Sequence, residues 1–187
     1  MDMFNFKGVV FVLVGKIGSI WLGPWNRVRL MTWKEISIIS KKGWEIGSHT
    51  MNHYILTALS PQRLDEELFL SKKVLKENGY DAISVSYPGG ITDHKVVEVA
   101  RKYYQIGRVA IDLGHWNPIV NTGIVNRFAL KSFTLSEKTF SEVGLKTLLN
   151  DLRKQGGWGI FLIHSVVDLL LVKGTTSRLI TLRKYWR

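Results

Sequence analysis

Two histidines four residues apart, His49 and His53 in Gly47-Ser48-His49-Thr50-Met51-Asn52-His53, follow a short apolar segment and can reach one divalent cation together. The chain has no Cys, which excludes disulfides, thiolate metal sites and a Cys nucleophile and leaves His and carboxylates as the strong ligands. A histidine pair of this kind serves metal-assisted hydrolysis, although two polar residues sharing one loop would show the same spacing. A third histidine, His164, closes the apolar run from Trp158 to Ile163, where an imidazole can move protons near neutral pH. Between them, Tyr87-Pro88-Gly89-Gly90 reads as a turn whose glycines permit backbone that other residues resist. His94 and His115 carry no motif and read as helix-start and loop residues. Asp112 and Asp168 are candidate carboxylates for a metal site, and Trp116, beside His115, could stack on a sugar ring or simply pack.

These residues need elements to hold them. Gly8 to Val14 reads as a buried strand, and Thr32-Trp33-Lys34-Glu35 as a capping box opening a helix to about Lys42. Gly43 to Gly47 is then a short strand ending at the histidine pair. Ser60 at an N-cap, Pro61 behind it, Leu64, Leu68 and Leu75 at helical spacing and Gly79 at the end predict a surface helix. Ala82 to Val85 predicts a strand running into the Tyr87 turn. A helix with Val96, Val97, Val99 and Ala100 follows, then extended segments at Gln105 to Ile111 and Arg127 to Phe133. Ser141 to Gln155 predicts a helix with a stripe of Val143, Leu145, Leu148, Leu149 and Leu152, and Trp158 to Ile163 a buried strand. Short apolar strands alternating with helices imply parallel β/α units in an α/β fold, with His49, the Tyr87 turn and His164 all just past strands.

The chain has 187 residues, 45% of them apolar and 22% charged, which fits one globular domain over 1–187. Its net charge of +11 comes from 26 Lys and Arg against 15 Asp and Glu. The basic residues are scattered, with a modest cluster at Arg178, Arg183, Lys184 and Arg187, so a basic nucleic-acid-binding domain ranks last among the readings. No segment nears the roughly 20 apolar residues of a membrane span and no cleavable leader is recognisable, so the expectation is no membrane partner and a cytoplasmic location.

The motifs resemble those of the NodB-type polysaccharide deacetylases, and the resemblance covers nearly the whole chain. The His49–His53 segment is similar to the family's H-[ST]-x-x-H metal motif, Ser86-Tyr87-Pro88-Gly89-Gly90 to its R-x-P-[FY]-G groove motif, and Leu162-Ile163-His164-Ser165 to its L-x-H motif. Phe11 to Gly18 is similar to the strand after the family's first motif. The resemblance implies a distorted (β/α) barrel and a metal-dependent hydrolase that removes acetyl groups from N- or O-acetylated sugars or polysaccharides. It makes His49 and His53 ligands of a divalent ion, most often zinc, with Thr50 bracing their loop. It makes the Gly89 N–H an oxyanion donor and His164 the general acid; Tyr87 and Pro88 of the groove motif, with Trp116 from outside the motifs, are the expected substrate-binding residues.

The departures shape further expectations. The family's first motif, T-F-D-D-G, supplies the base and a metal-ligating Asp and precedes the strand matched to Gly8 through Val14. Asp2 gives no basis for aligning it there, so the chain reads as starting after that motif and lacking the first barrel strand. Ser86 stands where the motif carries Arg. A two-histidine site should hold zinc weakly and act slowly or not at all, making a non-catalytic carbohydrate- or metal-binding remnant the alternative. The open barrel edge would favour a homo-oligomer.

Overall fold

The computed structural model describes residues 6–22, 27–111, 121, 125–134 and 142–164. They fall into two compact units. One runs to Val109 and takes in Val125–Leu130; the other draws on Ala110–Ile124 and on residues from Lys131 onward.

The first unit is built on four parallel strands in the order β1 (Val9–Val12), β4 (Glu45–Ser48), β5 (Ser84–Ser86) and β6 (Ile106–Ile111). Val12 pairs with Ser48, Ser48 with Val85, and Ser86 with Arg108, so β1, β4 and β5 finish at a common edge and β6 runs three residues past it. Helix α1 (Trp33–Lys41) starts at the predicted capping box: Thr32 accepts from the Glu35 amide and Glu35 answers on the Thr32 amide. Helix α2 (Pro61–Glu77) starts at Ser60 and buries Leu64, Leu68, Ser71 and Leu75. Helix α3 (His94–Tyr103) is capped by Asp93, which accepts from the Val96 amide at 2.8 Å, and it buries Val96, Val97 and Ala100. A satisfied first turn on each helix and a continuous apolar face explain why these segments fold as the spacing predicts.

The interior also holds polar groups: Ser48, Ser84, Ser86 and Arg108 are all buried. The Arg108 guanidinium lies 5.2 Å from the Phe11 ring centroid. Their strands stand three steps apart in the sheet order, about 14 Å in a flat sheet, so the sheet curls around these two side chains.

An antiparallel hairpin was not foreseen: β2 (Ile20–Leu22) pairs with β3 (Arg27–Arg29), Trp21 opposite Val28. Its three-residue strands are too short for a period-two signal to stand out.

In the second unit β7 (Leu130–Thr134) runs parallel to β8 (Phe161–Leu162), and α4 (Glu142–Gln155) lies between them in sequence. Asn121 ties this unit locally, its Nδ2 donating to the carbonyls of Lys131 and Trp158, both at 3.0 Å. Two expectations need correction here. The buried strand from Trp158 to Ile163 is only the two residues of β8, with Trp158, Phe161 and Ile163 exposed, and Leu149 of the expected helix stripe is exposed as well. An apolar run reads as buried from sequence whether or not a partner layer covers it. Among the described residues no helix is long and apolar enough to cross a membrane.

Candidate functional site

β4 delivers the histidine pair. The His49 amide extends the ladder by donating to the Val12 carbonyl at 2.8 Å, which fixes the residue at the end of β1 and β4. Its Nδ1 lies 2.7 Å from the Ser86 carbonyl oxygen. A carbonyl can only accept, so Nδ1 carries the proton and Nε2 is the nitrogen turned to any ligand. Metal-binding histidines are commonly oriented by such a backbone carbonyl on the second nitrogen. The His53 ring meets the His49 ring edge-on with centroids 4.7 Å apart. Two imidazoles bound to one zinc at about 2.0–2.1 Å place their centroids about 5 Å apart, a separation close to that of this pair. Among the described residues no group of three His, Cys, Asp or Glu side chains gathers to hold a metal, which leaves a two-histidine set.

The loop is held in a conformation that costs energy. Thr50 and His53 have φ of 65° and 64°, and a β-branched residue in the left-handed region is strained. Several bonds pin it there. The Val14 and Gly15 amides donate to the Thr50 and Met51 carbonyls at 3.0 and 2.9 Å. The His53 amide donates to the Thr50 hydroxyl at 3.2 Å, so Thr50 stands where a brace between the histidines should be. Glu67, 5% exposed on α2, accepts from the Asn52 amide at 2.9 Å and from its Nδ2 at 2.5 Å. At Gly15 a Cβ would stand 2.5 Å from the Met51 oxygen, so only glycine allows this approach.

The turn after β5 differs from expectation in its side chains. Tyr87 is 1% exposed, and its hydroxyl donates to the Phe128 carbonyl at 3.0 Å; burial pushes its pKa up to about 12. Pro88 is fully buried too. What the turn exposes is its backbone at Gly89, where φ is 67°. Ser86, just before, is bonded at both ends: its carbonyl takes His49 and its hydroxyl accepts from Arg108 Nη2. Arg108 is 8% exposed, and burial lowers its pKa to about 10. Nothing in the sequence near Ser86 points to an arginine on the following strand. The pairing of Ser86 with Arg108 creates the contact.

His164 lies two residues past β8 in the second unit and is exposed. Trp116, His115, Asp112 and Asp168 lie outside the described residues. Trp21, on the unforeseen hairpin, approaches His53 with ring centroids 5.3 Å apart and planes 56° apart.

The family profile for polysaccharide deacetylase matches residues 1–105. No curated protein sequence matches the chain. Among solved structures, the Streptococcus pyogenes deacetylase PplD in complex with acetate is 20% identical with a TM-score of 0.62 over 79% of this chain and 61% of its own. IcaB from Ammonifex degensii is 18% identical with a TM-score of 0.62 over 79% of this chain and 64% of its own. A de-N-acetylase from Aggregatibacter actinomycetemcomitans is 13% identical with a TM-score of 0.61 over 79% of this chain and 66% of its own. At such identities the likeness establishes the fold, the distorted β/α barrel of deacetylase type that the motifs implied. The chain spans under two thirds of the length of each of these three proteins.

Proposed function

The chain belongs to the polysaccharide deacetylase family, and from that premise we propose that it is a metal-dependent hydrolase removing acetyl groups from an N- or O-acetylated sugar. The observation that carries this reading is His49, turned by the Ser86 carbonyl so that Nε2 is its ligating nitrogen, with the His53 ring 4.7 Å away. His49 and His53 would hold the divalent ion, most often zinc. Once bound, that ion supplies Lewis acidity toward the acetyl carbonyl and lowers the pKa of water. The chain's own groups do the rest. The Gly89 amide, on an exposed turn one residue past a buried proline, donates to the oxyanion that develops on the acetyl oxygen. His164 is assigned the proton delivered to the leaving nitrogen or oxygen. Thr50 and Glu67 hold the loop so that neither histidine reorganises on ligand binding.

Calorimetric titration of the metal-free chain with zinc, beside His49→Ala, tests the reading, followed by acetate release from N- and O-acetylated oligosaccharides. Micromolar or tighter binding that disappears in His49→Ala, together with acetate release, is the expected result. Zinc binding without acetate release from any of them favours the non-catalytic binding reading. Zinc binding that persists in His49→Ala refutes the site.

A further inference from the structure

We propose that Trp21 is the platform on which the sugar ring carrying the acyl group stacks, so that the β2–β3 hairpin selects which acylated sugars reach His49 and His53. The inference rests on the deacetylase reading and adds a specificity-determining residue to it. Trp21 is the indole set against a candidate ligand, 5.3 Å from the His53 ring. Of the other described tryptophans, Trp33 and Trp44 pack within the first unit and Trp158 belongs to the second. Trp33 stacks on Tyr80 with centroids 6.1 Å apart and planes 5° apart. Trp44 lies on Gly8, 3.0 Å from where a Cβ there would stand, and Trp158 pairs with Asn121 through its backbone in the second unit, its side chain exposed.

The hairpin explains the orientation of Trp21. Strand alternation puts Ile20 and Leu22 on the exposed face, at 49% and 73%, and turns the half-buried Trp21 and Val28 to the other. A 56° tilt to His53 excludes a parallel stack of the two rings, and Trp21 is only half-buried. Exposed apolar side chains continue the rim. Tyr54 and Ile55 follow His53 directly, and Ile55 Cδ1 and Ile91 Cγ1 lie 3.0 and 3.8 Å from a Cβ placed on Gly89. Apolar surface thus borders both the histidines and the oxyanion turn. A pyranose suits such a border, because its C–H face packs on an aromatic plane while its polar edge remains free for the site.

The test uses the full chain as wild type, Trp21→Ala and Trp21→Phe, with Trp21→Leu replacing the alanine variant if that fails to fold. Two quantities are measured: zinc affinity, and affinity for an N-acetylglucosamine pentasaccharide and an O-acetylated xylo-oligosaccharide. The expectation is about tenfold weaker binding of the recognised oligosaccharide in Trp21→Ala, most of it recovered in Trp21→Phe, with zinc affinity constant within about twofold. Unchanged oligosaccharide affinity in Trp21→Ala overturns the platform alone. A parallel fall in zinc affinity also overturns it, since Trp21 would then merely prop His53. If the wild-type chain binds zinc but neither oligosaccharide, the deacetylase reading fails and the platform falls with it.

Discussion

Glu67→Ala should loosen the histidine loop from a distance. The carboxylate accepts two bonds from Asn52, one from the backbone amide at 2.9 Å and one from Nδ2 at 2.5 Å. Hydrogen bonds to a charged acceptor contribute about 1.5–3 kcal/mol each, and the partly buried setting favours the lower end, so losing both should cost about 2–4 kcal/mol. In a chain of 187 residues, at about 2–4 °C per kcal/mol, Tm should fall by about 5–15 °C. Glu67→Gln keeps one acceptor oxygen and should lose about half as much. A cycle with Asn52→Ala isolates the Nδ2 bond, for which a coupling of about 1–2 kcal/mol is expected. Glu66→Gln, on the exposed neighbour, should stay within about 0.5 kcal/mol of wild type. Differential scanning calorimetry gives the stabilities, and zinc titration of the same variants reports on the loop. A Tm within 2 °C of wild type for Glu67→Ala refutes the energetic argument. A large fall in Tm with unchanged zinc affinity refutes the claim that Glu67 shapes the histidine loop, leaving it a role in the fold alone.

Gly107→Ala should destabilise by about 2–4 kcal/mol in urea titration, because the new methyl would overlap the Tyr87 hydroxyl and stand 2.8 Å from the Phe128 carbonyl oxygen, forcing apart the Tyr87–Phe128 bond; near-wild-type stability would contradict this. Glu35, held down to about 2 chiefly by the Arg29 guanidinium fork and then by Thr32, stabilises the start of α1 above its ordinary value near 4.5 and loses that effect as pH falls toward 2. The Tm gap between wild type and Glu35→Gln should therefore close between about pH 4.5 and pH 2 and narrow with salt, since the pair is exposed; a gap that persists at pH 2 would refute the linkage.

What was legible in the sequence is what local chemistry decides. Thr32 with Glu35 and Ser60 with Pro61 mark helix starts because the groups that satisfy a first turn lie within three residues of it. The His49–His53 pair was legible for the same reason, both residues belonging to one loop. The supports of that loop were not. Asn52 is tied to Glu67 fifteen residues on, and Ser86 to Arg108 twenty-two residues on. Those contacts exist because α2 packs near the loop and β6 pairs with β5, and a single sequence carries no local trace of either. The burial of Tyr87 was not legible either. A motif position argues for contact with substrate, whereas burial depends on what covers it, here the segment bearing Phe128.

Arg108 shows how a departure from a motif can coexist with a related local environment. Ser86 stands where the resemblance leads one to expect arginine, yet a guanidinium reaches the same residue from the next strand. The parallel register makes this possible, since paired residues on adjacent parallel strands project to the same face. Stability does not explain the choice. Burial lowers the Arg108 pKa to about 10, which leaves it charged at neutral pH, and an apolar side chain of similar volume would avoid the cost of taking that charge from water. Phe11 offsets part of this cost by offering its ring at 5.2 Å, and the Ser86 hydroxyl takes one donor. Ser48, Ser84 and Ser86 are buried as well, their hydroxyls partnered by the Thr50 amide, the Glu45 carboxylate and Arg108. These costs gather toward the end of the sheet that holds His49, where the strained Thr50 and His53 backbones also lie. Strain and buried charge concentrated at one strand edge are what the proposed binding and chemistry there would require at the expense of stability.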